Sequence, residues 1–189
     1  LAWKQAGGPN EAKSALREAI ALVPGLIGPY IHLGELLFAE RDYASLVSTL
    51  EEGLRQHPQS GELRIRFAYY LVLLGKTAAA LDQLRAAEPV VEFGQREQYF
   101  DTLGMAFGTA GDFARAAEAY GKAVEIEPDN ADAVRKQAYS LFRLGRAEDA
   151  LAGFRRAERL SPDNPVLLEE MGRFFAAGKD YDQAEIYFQ

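Results

Sequence analysis

Gly111–Asn130 reads GDFARAAEAYGKAVEIEPDN, and thirty-four residues later Gly145–Asn164 reads GRAEDALAGFRRAERLSPDN. Both stretches open on glycine, keep alanine at Ala116 and Ala150 and at Ala123 and Ala157, and close on Pro-Asp-Asn. Tyr120 answers Phe154 and Ile126 answers Leu160, while most other letters drift. Residue size and polarity kept at a fixed interval, with chemistry free to change, mark positions set by packing. A period of this length is the signature of a repeat architecture.

Extended in both directions, the same ruler covers the chain. Units fall at Ile27–Ser60, Glu97–Asn130 and Ala131–Asn164, with Pro58, Pro128 and Pro162 in one slot. Leu1–Leu26 is the rear of an earlier unit, and Pro165–Gln189 starts a further one and stops part-way. Gly61–Arg96 breaks the count, running two residues long with its proline early, at Pro89.

Each unit predicts two helices. In Glu97–Asn130 the first carries Phe100, Leu103, Gly104 and Phe107, a spacing that lines one helix face. Gly111 follows where the chain must reverse, and the second helix carries Ala116, Tyr120, Ala123 and Ile126. Pro128 closes it, and Asp129–Asn130 supply capping side chains for the next. Small residues recur where the paired helices would cross: Gly34, Ala68, Gly104, Ala138 and Gly172 on the first, Ala12, Ala80, Ala116, Ala150 and Ala184 on the second. Tyr120, Phe154 and Phe188 fill the space beside them. A helix of about fourteen residues is marginal alone, so neighbouring pairs must stack to bury their apolar stripes.

The run Leu103-Gly104…Phe107…Gly111-Asp112-Phe113…Ala116…Tyr120…Ala123…Pro128, recurring in register, resembles the tetratricopeptide repeat family over the whole chain. That resemblance implies an all-α fold, a right-handed superhelical solenoid of antiparallel helix pairs forming a single array over 1–189. Three departures stand out: Leu46 takes a slot that is small elsewhere, and Arg64 and Gln137 take slots that are usually apolar. Those units are expected to pack less tightly. Neither end has a polar capping face, Trp3 and Phe188 falling inside incomplete units. The natural protein is therefore expected to carry repeats or caps beyond both ends, and the chain to be an excerpt.

Chemistry is sparse. The 48% hydrophobic and 26% charged residues are those of a globular chain. No run approaches the eighteen or so apolar residues of a membrane span, so a soluble protein, cytoplasmic or periplasmic, is expected. Zero cysteines exclude disulfides and thiolate sites and are compatible with either redox compartment. A net charge of -7 opposes a nucleic-acid partner. His32 and His57 have no second histidine at helical spacing, so neither marks a metal site. Glu51-Glu52, Glu169-Glu170 and the Glu125/Glu127/Asp129 run read as solvated helix faces, and Gly7-Gly8-Pro9 lacks the lysine of a phosphate loop. The expectation is no enzyme, no cofactor and no metal.

In the family it resembles, first helices line a concave surface that binds peptides or partner helices. By that resemblance the candidate contact residues are His32, Glu35, Ile65, Arg66, Tyr69, Asp101, Thr102, Met105, Arg135, Lys136, Tyr139, Arg143 and Arg173, with Phe38, Val72, Phe142 and Glu169 beside them. The carboxylate clamp of the family's chaperone co-factors needs lysine, asparagine and arginine on successive first helices. The matching places hold Ile31 and Glu35, Ile65 and Tyr69, or Asp101 and Met105, so that mode is disfavoured. Charge alternates by unit: Glu97–Asn130 nets -5 and Ala131–Asn164 nets +2. Arg135, Lys136 and Arg143 are expected to form a basic strip for an acidic partner segment. The expected function is a non-catalytic scaffold holding a protein or peptide in the groove. The alternatives are a regulatory or substrate-presenting arm of a larger enzyme, such as a glycosyltransferase, and a homo-oligomer joined through open repeat ends.

Overall fold

A computed structural model describes residues 8–188, and its regular structure is helical, with eleven α-helices and no strand among the described residues. In chain order these are α1 (Pro9–Leu22), α2 (Ile27–Ala39), α3 (Tyr43–Gln56), α4 (Gly61–Leu73), α5 (Thr77–Ala87), α6 (Arg96–Thr109), α7 (Phe113–Ile126), α8 (Ala131–Arg143), α9 (Ala147–Leu160), α10 (Pro165–Ala177) and α11 (Tyr181–Phe188). Trp3, Gly7 and Gln189 lie outside the described residues.

Local chemistry decides where each helix begins. Asp42, Ser60, Asp112, Asn130 and Asn164 precede α3, α4, α7, α8 and α10, and each side chain accepts a hydrogen bond from a backbone N–H of the first turn. That satisfies a donor the helix cannot satisfy itself. Within a pair only a few residues join two helices of about four turns, so the partners must run antiparallel. The reversal uses one left-handed residue. Gly75, Gly111 and Gly145 take it with φ of 72°, 80° and 77°, and Arg41 and Lys179 take it at the equivalent turns with φ of 62° and 63°. Side chains with a Cβ are strained there.

The crossing points explain the small-residue ruler. A Cβ added to Gly104 would stand 2.7 Å from the Tyr120 ring, and one on Gly172 would stand 2.5 Å from the Phe188 ring. The departure at Leu46 is compensated across the pair, because Gly34 lies against Leu46 and Gly53 makes room for Tyr30. Leu46 is fully buried. The polar intrusions find partners in part, Arg64 Nε remaining buried without one. Arg64 donates to Gln83 Oε1 at 3.0 Å and to the Pro58 carbonyl at 2.8 Å, and Gln137 lies over Gly121.

The chain forms two compact units, Leu1–Glu92 and Phe93–Gln189. The first packs α1, α2 and α3 with α4 and α5 around Tyr30, Leu37, Leu50, Leu63 and Leu84. The second stacks three pairs, α6/α7, α8/α9 and α10/α11, around Val134, Ala138, Phe154, Leu167 and Met171. The boundary falls where the ruler slipped. After α5 the chain makes two 3-10 turns, Glu88–Val90 and Phe93–Gln95, which take up the additional residues.

Candidate partner-binding site

The predicted contact residues divide between the two units. In the first unit, His32 Nδ1 lies 3.2 Å from Glu35 Oε2, and Arg66 Nη1 lies 3.8 Å from Glu35 Oε1. Tyr69 and Phe38 both pack on Tyr70, with ring centroids 5.5 Å and 5.0 Å away. Burial, with Glu35 nearby, pushes the Tyr70 hydroxyl up to about 12, so it stays neutral. Ile65 is 1% exposed and Val72 is also buried, so both support the wall and offer nothing to a ligand.

In the second unit five of the predicted residues come together. Met105, Arg135, Lys136, Tyr139 and Arg143 line one open cleft of about 280 Å³, with Gly108, Thr109, Phe113, Tyr120 and Ser140 completing it. The cleft lies among α6, α7 and α8. The positions carried over from the family leave out Phe113, which opens α7, and Thr109, which closes the first helix α6. The signal was present in the turn, because a short connection holds both ends of a pair at the same rim. Thr102 does not reach the cleft. It is 1% exposed and its Oγ1 donates to the Gln98 carbonyl at 2.8 Å.

The expected basic strip is corrected by its partners. Arg135 donates from Nη2 to Asp132 and from Nη1 to Glu170, both at 2.7 Å. Lys136 Nζ lies 2.8 Å from Asp101 and 2.7 Å from Asp132. Asp101 with Lys136, and Arg135 with Glu170, are thirty-five residues apart in sequence and face each other across neighbouring first helices. These carboxylates neutralise two of the three cations, and a count of charge by repeat cannot register a pair formed between repeats. Burial opposes the charge on Lys136, but the attraction of Asp101 and the hydrogen bonds that Lys136 donates to both aspartates outweigh it and raise its pKa. Arg135 behaves alike, its burial being overcome by Asp132 and Glu170. Glu170 goes the other way. Its own burial, with Asp132 and Glu169 near, outweighs Arg135 and raises its pKa. Arg173 is bound to Glu169 at 2.6 Å.

Arg143 is different. Its Nη1 donates to Tyr139 Oη at 3.1 Å, and its Cζ sits 4.1 Å from the centre of the Phe113 ring and 5.8 Å from that of Tyr139. No carboxylate of the described residues pairs with it, and it is exposed at the cleft's edge. Tyr120 forms a buried apolar wall, its hydroxyl held neutral by burial and by Asp101.

Residues 102–165, which include this cleft, match the tetratricopeptide repeat family. The matched segment is built of tetratricopeptide repeats, and the helix pairs outside it take the same fold. It is 28% identical over 137 residues to mouse Tetratricopeptide repeat protein 21A, covering 72% of this chain and 10% of that protein. The chain thus spans about a tenth of the curated relative it matches. Among solved structures it is similar to PilW, described as a widely conserved type IV pilus biogenesis factor, with a TM-score of 0.87 and 15% identity over 95% of this chain and 82% of that one. It is also similar to pilF of Pseudomonas aeruginosa, with a TM-score of 0.83 and 18% identity over 98% and 83%. A third is YrrB, a repeat protein with an unusual peptide-binding site, with a TM-score of 0.71 and 17% identity over 92% and 88%. At these identities the likeness is one of fold. The repeat fold supports a protein–protein interaction scaffold. Among the described residues no helix is long and apolar enough to cross a membrane, and no three His, Asp or Glu side chains cluster to hold a metal.

Proposed function

We propose that this chain is a non-catalytic scaffold that binds a peptide or partner segment, using the cleft among α6, α7 and α8 as its principal contact. The observation that carries this reading is the cleft's composition. Methionine, tyrosine, phenylalanine and arginine meet in a concavity where Arg135 and Lys136 are tied down by ion pairs, and these residue types are enriched at protein interfaces. Its ionisable groups are mostly engaged in structural pairs, with none of the opposed acid and base that hydrolytic work needs. The contact residues expected in the first unit, His32, Glu35, Arg66 and Tyr69, form a second and more polar surface for the same role.

Site-specific photo-crosslinking tests the reading. A benzophenone side chain at Thr109, at the cleft, should trap a discrete adduct in the cell of origin, and one at Glu118, exposed on α7, should not. Equal patterns from both places, or none from either, would refute the assignment.

A specific observation favours a second reading, self-association. Tyr181 and Ile186 on α11 are 66% and 63% exposed, while Phe188, 56% exposed, lies with part of its ring over Gly172. Light scattering should show mass rising with concentration, and Ile186→Glu should abolish the rise. A constant monomer mass in the parent chain would remove this reading.

A further inference from the structure

We infer that the cleft recognises a carboxylate adjacent to a large apolar side chain on an extended peptide. Arg143 receives the carboxylate, and Met105, Phe113, Tyr120 and Tyr139 receive the apolar group. This deepens the scaffold reading above and rests on it.

The first argument is what Arg143 lacks. Arg135, Lys136 and Arg173, the other cations of α8 and α10, each hold a carboxylate of the chain. Arg143 alone among these four has only a neutral phenol and two aromatic faces. One N–H is tied to Tyr139 Oη, and the Phe113 ring backs the guanidinium plane. Its position is therefore held before a ligand arrives, which reduces the entropy lost on binding. Aromatic backing also removes part of its hydration, which strengthens a charge-assisted bond to an incoming carboxylate.

The second argument is size and polarity. About 280 Å³ is at or below the small end of the roughly 300–1,000 Å³ usual for cofactor and drug sites. It suits one large side chain with its backbone lying across the rim. Lining it are the Met105 thioether, the rings of Phe113, Tyr120 and Tyr139, and the small Gly108. No carboxylate lines it, and those behind the wall, Asp101, Asp132 and Glu170, are each matched by Arg135 or Lys136.

The third argument is exclusion by charge. A basic peptide would bring its cation to Arg143 with nothing acidic in the lining to hold it. A nucleic-acid backbone needs several unengaged cations at phosphate spacing, and Arg135 and Lys136 are already bound within the chain.

A random dodecapeptide library displayed on phage, selected against the immobilised 189-residue chain, tests the inference. Enriched peptides should carry Asp or Glu within two residues of Phe, Tyr, Leu or Met. The best of them, made synthetically with a fluorescein label, is then titrated by anisotropy. Arg143→Gln should weaken it about tenfold, in keeping with loss of a hydrogen-bonded charge pair. Asp→Asn or Glu→Gln in the peptide should cost the same with the parent chain and nothing further with Arg143→Gln. Arg85→Gln, on α5 and outside the cleft, should change affinity less than twofold. Circular dichroism confirms that the variants are folded. Peptides that bind without an acidic preference, or that ignore Arg143→Gln, overturn this inference and leave the scaffold reading standing. Failure to enrich any peptide over an albumin-coated surface overturns both.

Discussion

Gly104→Ala isolates the close approach that defines a repeat. In an isolated helix this change is favourable by about 1 kcal/mol, because alanine restricts the unfolded chain. Here the new Cβ would stand 2.7 Å from Tyr120 Cδ1 and Cε1 and 2.9 Å from Cγ. Real Cβ atoms do not sit so close, and the ring is buried, with Lys136 Nζ 5.8 Å from its centre. Overpacking of this kind costs about 1–3 kcal/mol. The net expectation is destabilisation by about 1 kcal/mol. Gly108, one turn along α6, provides the control: its nearest neighbour would be Ala116 Cβ at 3.9 Å, an ordinary contact. Gly108→Ala should therefore stabilise, by a few tenths of a kcal/mol to about 1, the smaller figure reflecting its place near the helix end. In a Tyr120→Leu background the Gly104→Ala penalty should shrink by about 1 kcal/mol, a coupling expected of touching residues. Urea unfolding followed at 222 nm supplies the midpoints. Hydrogen exchange of α6 and α7 shows whether the loss is local, since stacked repeats unfold in parts. The reasoning fails if Gly104→Ala stabilises as Gly108→Ala does, or if the Tyr120 background makes no difference.

Three further outcomes follow from the structure. Phe154 is fully buried and Phe188, one repeat on, is more than half exposed; Phe154→Ala should cost about 3–5 kcal/mol and Phe188→Ala well under half of that, as read from urea midpoints. Arg41 holds a left-handed backbone where three sister turns have glycine, so Arg41→Gly should raise stability by about 0.5–1 kcal/mol, and a loss in the same titration would contradict the strain. Asp132 is held below the usual carboxylate range because, against its burial, hydrogen bonds and charges from Lys136 and Arg135 prevail. A depressed folded pKa gives stability that is present above the unfolded value of about 4 and lost as pH falls through the folded one. Asp132→Asn should thus lower stability at pH 7, by under about 1 kcal/mol for so exposed a group, and flatten the decline below about pH 4. Parallel pH profiles for parent and variant would exclude that account.

How far the sequence could be read follows from the range of each interaction. Helix pairs were legible because caps, turn glycines and small crossing residues act within a few positions and recur every thirty-four. The unit predicted at 97–130 is filled by α6 and α7, Arg96–Thr109 and Phe113–Ile126. The irregularity read in Gly61–Arg96 became the boundary between compact units, since additional residues there could only be spent in turns. The compensations were harder. Leu46 looked like an intrusion until Gly34 was seen to face it, and Gly121 yields to Gln137. Each involves two helices whose relative rotation no single period specifies.

The same limit bears on the candidate site. The family resemblance points to Met105, Tyr139 and Arg143, and these three line one cleft. Side-chain charge misled, because the alternation of acidic and basic repeats creates complementary faces between neighbours. Asp101 meets Lys136, and Arg135 meets Glu170, so the charge is consumed in holding adjacent repeats together. Such half-buried pairs add little net stability, but losing one partner strands the other. They fix how one repeat sits against the next, which gives the cleft its width. A partner would therefore read what the ladder leaves over: an apolar hollow and one uncommitted guanidinium. Recognition on this fold depends less on how much charge a repeat carries than on which charges its neighbours have failed to match.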